Sequence, residues 1–119
     1  MPTLSFEGSV YYSTAVDRRE KVAIAPSYEV THLTTRDQTA ILETEEHEVN
    51  FSDLPNNKCT NFMMYLTEGD VDVTLTDADS DTTVFNLIPS GMIILMNTEL
   101  TGLTIYGNAD SVYDLIAGG

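Results

Sequence analysis

Asp77, Asp79 and Asp81 alternate through the segment Asp77-Ala78-Asp79-Ser80-Asp81. Alternating carboxylates in a turn can aim several oxygens at one hard cation, and calcium is the ion that suits them. These three aspartates are the candidate metal ligands, with Asp70 and Asp72 as further oxygens if the fold brings their turn close. The helix-flanked calcium loop needs a glycine and a glutamate where this chain has Thr82 and Ile88, so the segment is not that loop. A solvated hairpin tip is the plainer reading.

His32 and His47 are the only histidines, and neither has a second ligand at short spacing. Zinc takes three or four nitrogen or sulfur ligands, which both histidines and Cys59 together would barely supply. Cys59 is the single cysteine. Its surroundings, Asn57-Lys58-Cys59-Thr60, match no nucleophile motif, and a lone cysteine commonly packs as a small apolar residue. Acidic residues are so numerous that pairs at glycosidase-like spacing carry no information without geometry. No G-x-S-x-G, G-x-x-x-x-G-K or G-x-G-x-x-G is present. The sequence therefore predicts a domain without catalytic residues and without a required cofactor.

Five basic against nineteen acidic residues give a net charge of −14. A protein that holds phosphates does so with Lys and Arg, so nucleic acid and anionic membranes are excluded as direct partners. The scarcity of lysine, Lys21 and Lys58 alone, is compatible with a salty environment, where surface charge is screened. No apolar run reaches the ~20 residues that span a bilayer. The start, MPTLSFEGSVYY, lacks the basic lead and apolar stretch of an export signal, so none is expected.

The elements that would position these residues are strands. With 119 residues and 42% apolar content, one domain over 1–119 is expected. Turn chemistry recurs every eight to twelve residues through the second half. Phe62–Leu66, Val71–Leu75, Val84–Ile88, Met92–Met96, Leu103–Ile105 and Ser111–Ile116 read as strands, separated by turns at Gly69, Asp77–Asp81, Pro89-Ser90-Gly91 and Gly107–Asp110. In the first half, the alternations Leu4/Phe6 and Val10/Tyr12 and the runs Tyr28–Leu33, Thr39–Thr44 and Glu48–Phe51 add further strands. Ala15–Lys21 reads as a helical turn or charged loop, and Pro26 as a strand end or edge. About ten strands with no 3.6-residue stripe predict an all-β chain: one antiparallel β-sandwich, jelly-roll-like, with little or no helix.

Two segments break the alternation. Phe62-Met63-Met64-Tyr65-Leu66 and Met92-Ile93-Ile94-Leu95-Met96 are apolar on both faces, whereas a two-layer sandwich has one interior. Either they are covered on both faces within the chain, or one face is covered by another subunit, for which methionine is well suited. Phe62, Met63, Met64, Tyr65, Met92, Ile94 and Met96 are accordingly the candidate partner interface.

From Asn50 onward the cadence is F-x-D-L-P, an apolar strand, T-E-G-D-V-D-V-T-L, F-N-L-I-P-S-G-M-I-I-L, N-T-E-L-T-G-L-T-I and V-Y-D-L-I-A-G-G. It resembles small β-sandwich structural proteins of tailed bacteriophages and related archaeal viruses, over the C-terminal part of the chain. The resemblance implies a virion component (capsid decoration, head–tail connector or tail part) that is assembled in the host cytoplasm. Such a component binds copies of itself, trimers among the natural forms, and neighbouring virion proteins such as the major capsid protein. Two further readings are a sugar-binding sandwich using Tyr11 and Tyr12, and a small cupin-like metal enzyme, a class that wants more histidines than two.

Overall fold

A computed structural model describes residues 3–5, 8–15, 18–25, 27–30 and 32–119. Four strands come first: β1 Thr3–Ser5, β2 Gly8–Ala15, β3 Arg18–Ile24 and β4 Ser27–Glu29. β1 pairs with β4, and β2 with β3. Eight more strands follow: β5 Leu33–Ile41, β6 Glu46–Glu48, β7 Asn61–Glu68, β8 Val71–Asp77, β9 Thr82–Leu87, β10 Met92–Leu95, β11 Leu100–Gly107 and β12 Ser111–Gly118. A single 3₁₀ turn, Pro55–Asn57, is the one helical element among the described residues.

These eight strands form two four-stranded antiparallel sheets, β10-β7-β12-β5 and β6-β11-β8-β9. Each sheet alternates early and late strands in nested order, so successive strands change layer except at the β8–β9 hairpin. That is the jelly-roll arrangement, and the expected all-β sandwich is the observed fold. The β5–β6 and β9–β10 connections put β5 opposite β6 and β10 opposite β9 along the two open sides.

The interior follows from the period of two. Phe62, Met64 and Leu66 of β7 and Tyr113, Leu115 and Ala117 of β12 meet Val71, Val73 and Leu75 of β8 and Leu103 and Ile105 of β11, all buried. Val49, Phe51 and Leu54 close the core from the loop after β6.

The first half departs from its sequence reading in four places, the first being Thr39–Thr44: its strand runs from Leu33 to Ile41, and Thr44 lies in the following turn with φ 67°. Arg18–Lys21 is neither helix nor loop: it opens β3, where pairing of Glu20 with Tyr12 and Lys21 with Tyr11 overrides the charged composition. Tyr28–Leu33 is not one strand, because β4 ends at Glu29 and Val30 is buried before β5 begins along β12. Glu48–Phe51 is a strand only up to Glu48. Val49 makes one more bond, to the Leu103 carbonyl at 3.0 Å, and the chain then turns inward to bury Phe51. Pro26 and the start of the Ala15–Lys21 segment, residues 16–17, lie outside the described residues.

Gly69 has φ of +98°, as the β7–β8 turn requires, and a Cβ there would lie 2.0 Å from Ser111 Oγ. That hydroxyl accepts from the Asp70 amide at 3.0 Å and donates to the Ala109 carbonyl at 2.8 Å, joining this turn to the one before β12. Ser90, not Gly91, takes the left-handed conformation (φ 71°), and Gly91 donates to the Ile88 carbonyl at 2.8 Å, as in a type II turn. Gly69→Ala is therefore expected to cost about 2 kcal/mol or more, read as a lower denaturant midpoint, through forbidden backbone and displacement of Ser111.

Candidate functional site

The apolar surplus of β7 and β10 divides cleanly between the faces. Phe62 and Met64 point inward and are buried, so these two expected interface residues belong to the core. Met63 and Ile94 are half-buried on the opposite face, where Tyr65 is 38% and Met92 55% exposed. Met96, just past β10, is half-buried.

Register assembles this outer face into rows. Ile94 lies opposite Met63, which lies opposite Ile116 of β12; Met92 lies opposite Tyr65, which lies opposite Asp114. A shallow cavity of about 200 Å³ runs between the rows. Asp114 is the only charge among its lining residues. Its two carboxylate oxygens accept from the Gln38 amide at 2.9 Å and from Gln38 Nε2 at 3.2 Å. The β12–β5 ladder shifts register at this point, which turns the Gln38 amide to the carboxylate. Ile116 and Asp114 were not singled out from the sequence, because β12 alternates like any half-buried strand.

The β9–β10 side of the sandwich is exposed. Thr82 to Asn86 of β9 are open to solvent on both faces, with Val84 at 59% and Phe85 at 44%. Ile88, in the following turn, is 60% exposed. The β5–β6 side is instead closed by polar groups. Tyr113 is fully buried, and its hydroxyl accepts from Arg36 Nη1 at 2.9 Å and meets His47 Nδ1 at 2.8 Å. His47 Nε2 meets Glu45 Oε1. One assignment uses each proton once: Arg36 donates to the phenol oxygen, the phenol to Nδ1, and Nε2–H to Glu45. Tyr113→Phe strands Arg36 and His47 without that partner, and a loss of about 1–3 kcal/mol in unfolding free energy is expected.

Asp77, Asp79 and Asp81 sit at the exposed β8–β9 hairpin tip. Asp77 Oδ1 accepts from the amides of Asp79 (2.9 Å) and Asp81 (3.0 Å), so one oxygen is engaged in shaping the turn. Asp70 and Asp72 lie at the other end of the hairpin, bridged by Asn86 Nδ2 at 2.7 and 3.0 Å. Among the described residues no group of three or more His, Cys, Asp or Glu side chains is placed to hold a metal ion. His32 is on the surface beside Gly119, whose amide and carbonyl bond its backbone. The backbones of Tyr11 and Tyr12 pair in β2, but their side chains lie outside the described residues.

Cys59 is fully buried, and its thiol donates to the Asn61 carbonyl at 3.2 Å. Burial pushes its pKa above the usual 9.0, against smaller opposing contributions from backbone hydrogen bonds. The raised folded-state value means a contribution to stability that is full below pH 9 and lost as pH climbs through the folded pKa. The native thiol should react with a thiol reagent at pH 8 only as fast as the chain opens. Immediate labelling of folded protein would contradict this environment.

No protein-family model matches the chain, and no curated protein matches it in sequence. Among solved structures, CENP-C of Drosophila melanogaster, determined bound to CAL1, superposes with a TM-score of 0.51 at 13% identity, over 92% of this chain and 81% of that one. A cupin superfamily protein of Desulfitobacterium hafniense gives 0.48 at 11% identity, over 76% and 81%. The cupin domain of Schizosaccharomyces pombe Cnp3 gives 0.44 at 11%, over 96% and 83%. The Drosophila likeness shows a shared β-sandwich fold; the two looser ones carry no weight.

Proposed function

We propose that this domain is a non-enzymatic assembly protein that works by covering the outer face of β10, β7 and β12 with a second copy of itself. One observation carries the reading: the interior of the sandwich is already filled by Phe62, Met64 and Leu66, yet Met63, Tyr65, Met92, Ile94 and Ile116 form a second apolar surface on the other side. An exposed apolar patch of this kind marks an interaction site. The lining favours another acidic copy as occupant. Its single carboxylate, Asp114, keeps its charge but accepts at both oxygens from Gln38, so each face carries one charge in an otherwise uncharged lining. A virion structural role, with further contacts to other virion proteins, is the finer form of the reading. It is supported by the resemblance of the Asn50–Gly119 cadence. The Drosophila CENP-C structure, whose fold is alike, is of a complex with another protein, CAL1, which accords with a binding rather than a catalytic use of the scaffold.

Sedimentation or light scattering tests this directly. The wild-type chain should self-associate, and Ile94→Glu should weaken association at least about tenfold, some 1.4 kcal/mol, while leaving the thermal midpoint nearly unchanged. A variant as strongly associated as wild type would defeat the reading.

Salt gives an independent check. Copies carrying −14 repel, so raising NaCl from about 0.1 to about 1 M, which cuts the Debye length from roughly 10 to roughly 3 Å, should strengthen association. Dissociation at high salt would point to an ionic contact instead.

A further inference from the structure

β9 is an edge strand of unusual chemistry. Thr82-Thr83-Val84-Phe85-Asn86-Leu87 contains no charge, no proline and no glycine, and its ladder with β8 has no bulge. Natural edges are blunted by such devices, because a bare edge offers unpaired N–H and C=O groups to another chain. Here the strand lies at the end of its sheet, and five of its six residues are exposed. Within the β8–β9 hairpin of this strongly negative chain, the acidic residues stand at the two ends, Asp77, Asp79 and Asp81 at one and Asp70 and Asp72 at the other.

The hydrogen-bond phase of the strand is fixed. Asp77 donates to the Asp81 carbonyl at 2.9 Å, so these two form a hydrogen-bonded pair. Counting on through an unbroken antiparallel ladder, Thr83, Phe85 and Leu87 bond to β8, while Thr82, Val84 and Asn86 present their N–H and C=O to the free side.

We propose that a second copy of this chain adds antiparallel to β9 about a two-fold axis at Val84, making one continuous sheet across two molecules. In that register Val84 meets Val84 of the partner and Thr82 meets Asn86, each pair exchanging both backbone bonds. Thr83 then lies opposite Phe85, a β-branched–aromatic pair that covers an exposed ring. The antiparallel direction also keeps the hairpin tips apart. Asp81 of one copy falls opposite residue 87 of the other, so the two Asp81 residues stand six strand positions apart, about 20 Å at roughly 3.3 Å per residue. That exceeds the ~8 Å Debye length at physiological salt, whereas parallel pairing would set the two tips side by side; the acids nearest each tip are then Asp70 and Asp72 of the other copy, held by Asn86. This surface is separate from the β10-β7-β12 face, so a copy using both has neighbours on two sides and can build an extended or closed array.

Substitution of the outward-facing residue tests the edge without disturbing the fold. Val84→Pro removes an N–H that β8 does not use, and Val84→Lys places a charge at the pairing axis. Both are made in wild type and in the Ile94→Glu background, where the outer face is disabled, and sizes are measured by sedimentation equilibrium. Ile94→Glu alone should remain a dimer, and either Val84 change should weaken that dimer at least about tenfold, while Val84→Ile retains it. Circular dichroism and thermal melting verify the fold of each variant. Val84→Cys supplies the register: a hydrogen-bonded pair holds its Cα atoms about 5.5 Å apart, within disulfide reach, so mild oxidation should cross-link Val84→Cys but not Asn86→Cys. A monomeric Ile94→Glu protein, a dimer indifferent to Val84→Lys and Val84→Pro, or cross-linking of Asn86→Cys in place of Val84→Cys would overturn the edge pairing. An Ile94→Glu protein as large as wild type would instead defeat the outer-face reading and leave the edge standing.

Discussion

A two-layer sandwich has one interior, and the rest of this molecule follows from that. Each strand sends alternate side chains to opposite faces, so burying Phe62, Met64 and Leu66 commits Met63 and Tyr65 to the outside. No rotation or slip rescues them, because a shift of one residue would exchange the two sets. Met63 is trapped between Ile94 and Ile116 by pairing on both sides, so the outer apolar rows are as firmly specified as the core. The surface is therefore a property of the register, held by the same ladders that hold the fold.

The jelly-roll order leaves two long sides where the sheets could gape, and the chain treats them differently. At β5 and β6 the gap is closed by Arg36, the Tyr113 hydroxyl, His47 and Glu45, each satisfying the next. A buried polar chain of that kind resists rearrangement, since breaking one link strands its neighbours. Among the described residues no such seal spans β9 and β10: Phe85 faces the inner side, opposite Val73, yet remains 44% exposed. The first side is finished within the molecule, and the second is left apolar and unpaired.

How much of this was legible in the sequence depended on where the signal lay. The second half is legible almost strand for strand, because Gly69, Asp77–Asp81, Pro89–Gly91 and Gly107–Asp110 punctuate it with turn chemistry that works locally. The first half is far less legible. Arg18–Lys21 looked helical or irregular because its strand character comes from pairing with β2, a partner that composition does not reveal. Phe51 looked like strand because its burial comes from a loop folding under the sandwich. The doubled apolar character of β7 and β10 was legible, but its division was not: without knowing which parity faces the core, Phe62 and Met64 could not be told from Met63 and Ile94. The Arg36–Tyr113–His47 chain joins residues 77 and 66 positions apart, and no local pattern announces it. The β9 edge lay in plain view as an uncharged stretch in an acidic chain, but its meaning required knowing that β9 is the last strand of its sheet.

Charge distribution gives the assembly reading its physical sense. Net charge keeps acidic proteins apart, and at −14 a general stickiness between copies is suppressed. Association under such repulsion is confined to places where charge is absent or already engaged. The outer rows carry Asp114 as their one charge, its two oxygens accepting from Gln38. The β9 strand meets it because it carries no charge of its own: Asn86 holds Asp70 and Asp72 at one end of it, and Asp77 is turned back into the hairpin tip at the other. Repulsion over the remaining surface then acts as a filter: it penalises every encounter except those that bring neutral patches into register. A basic or neutral variant of the same fold would lose that filter and aggregate through the same two surfaces without order.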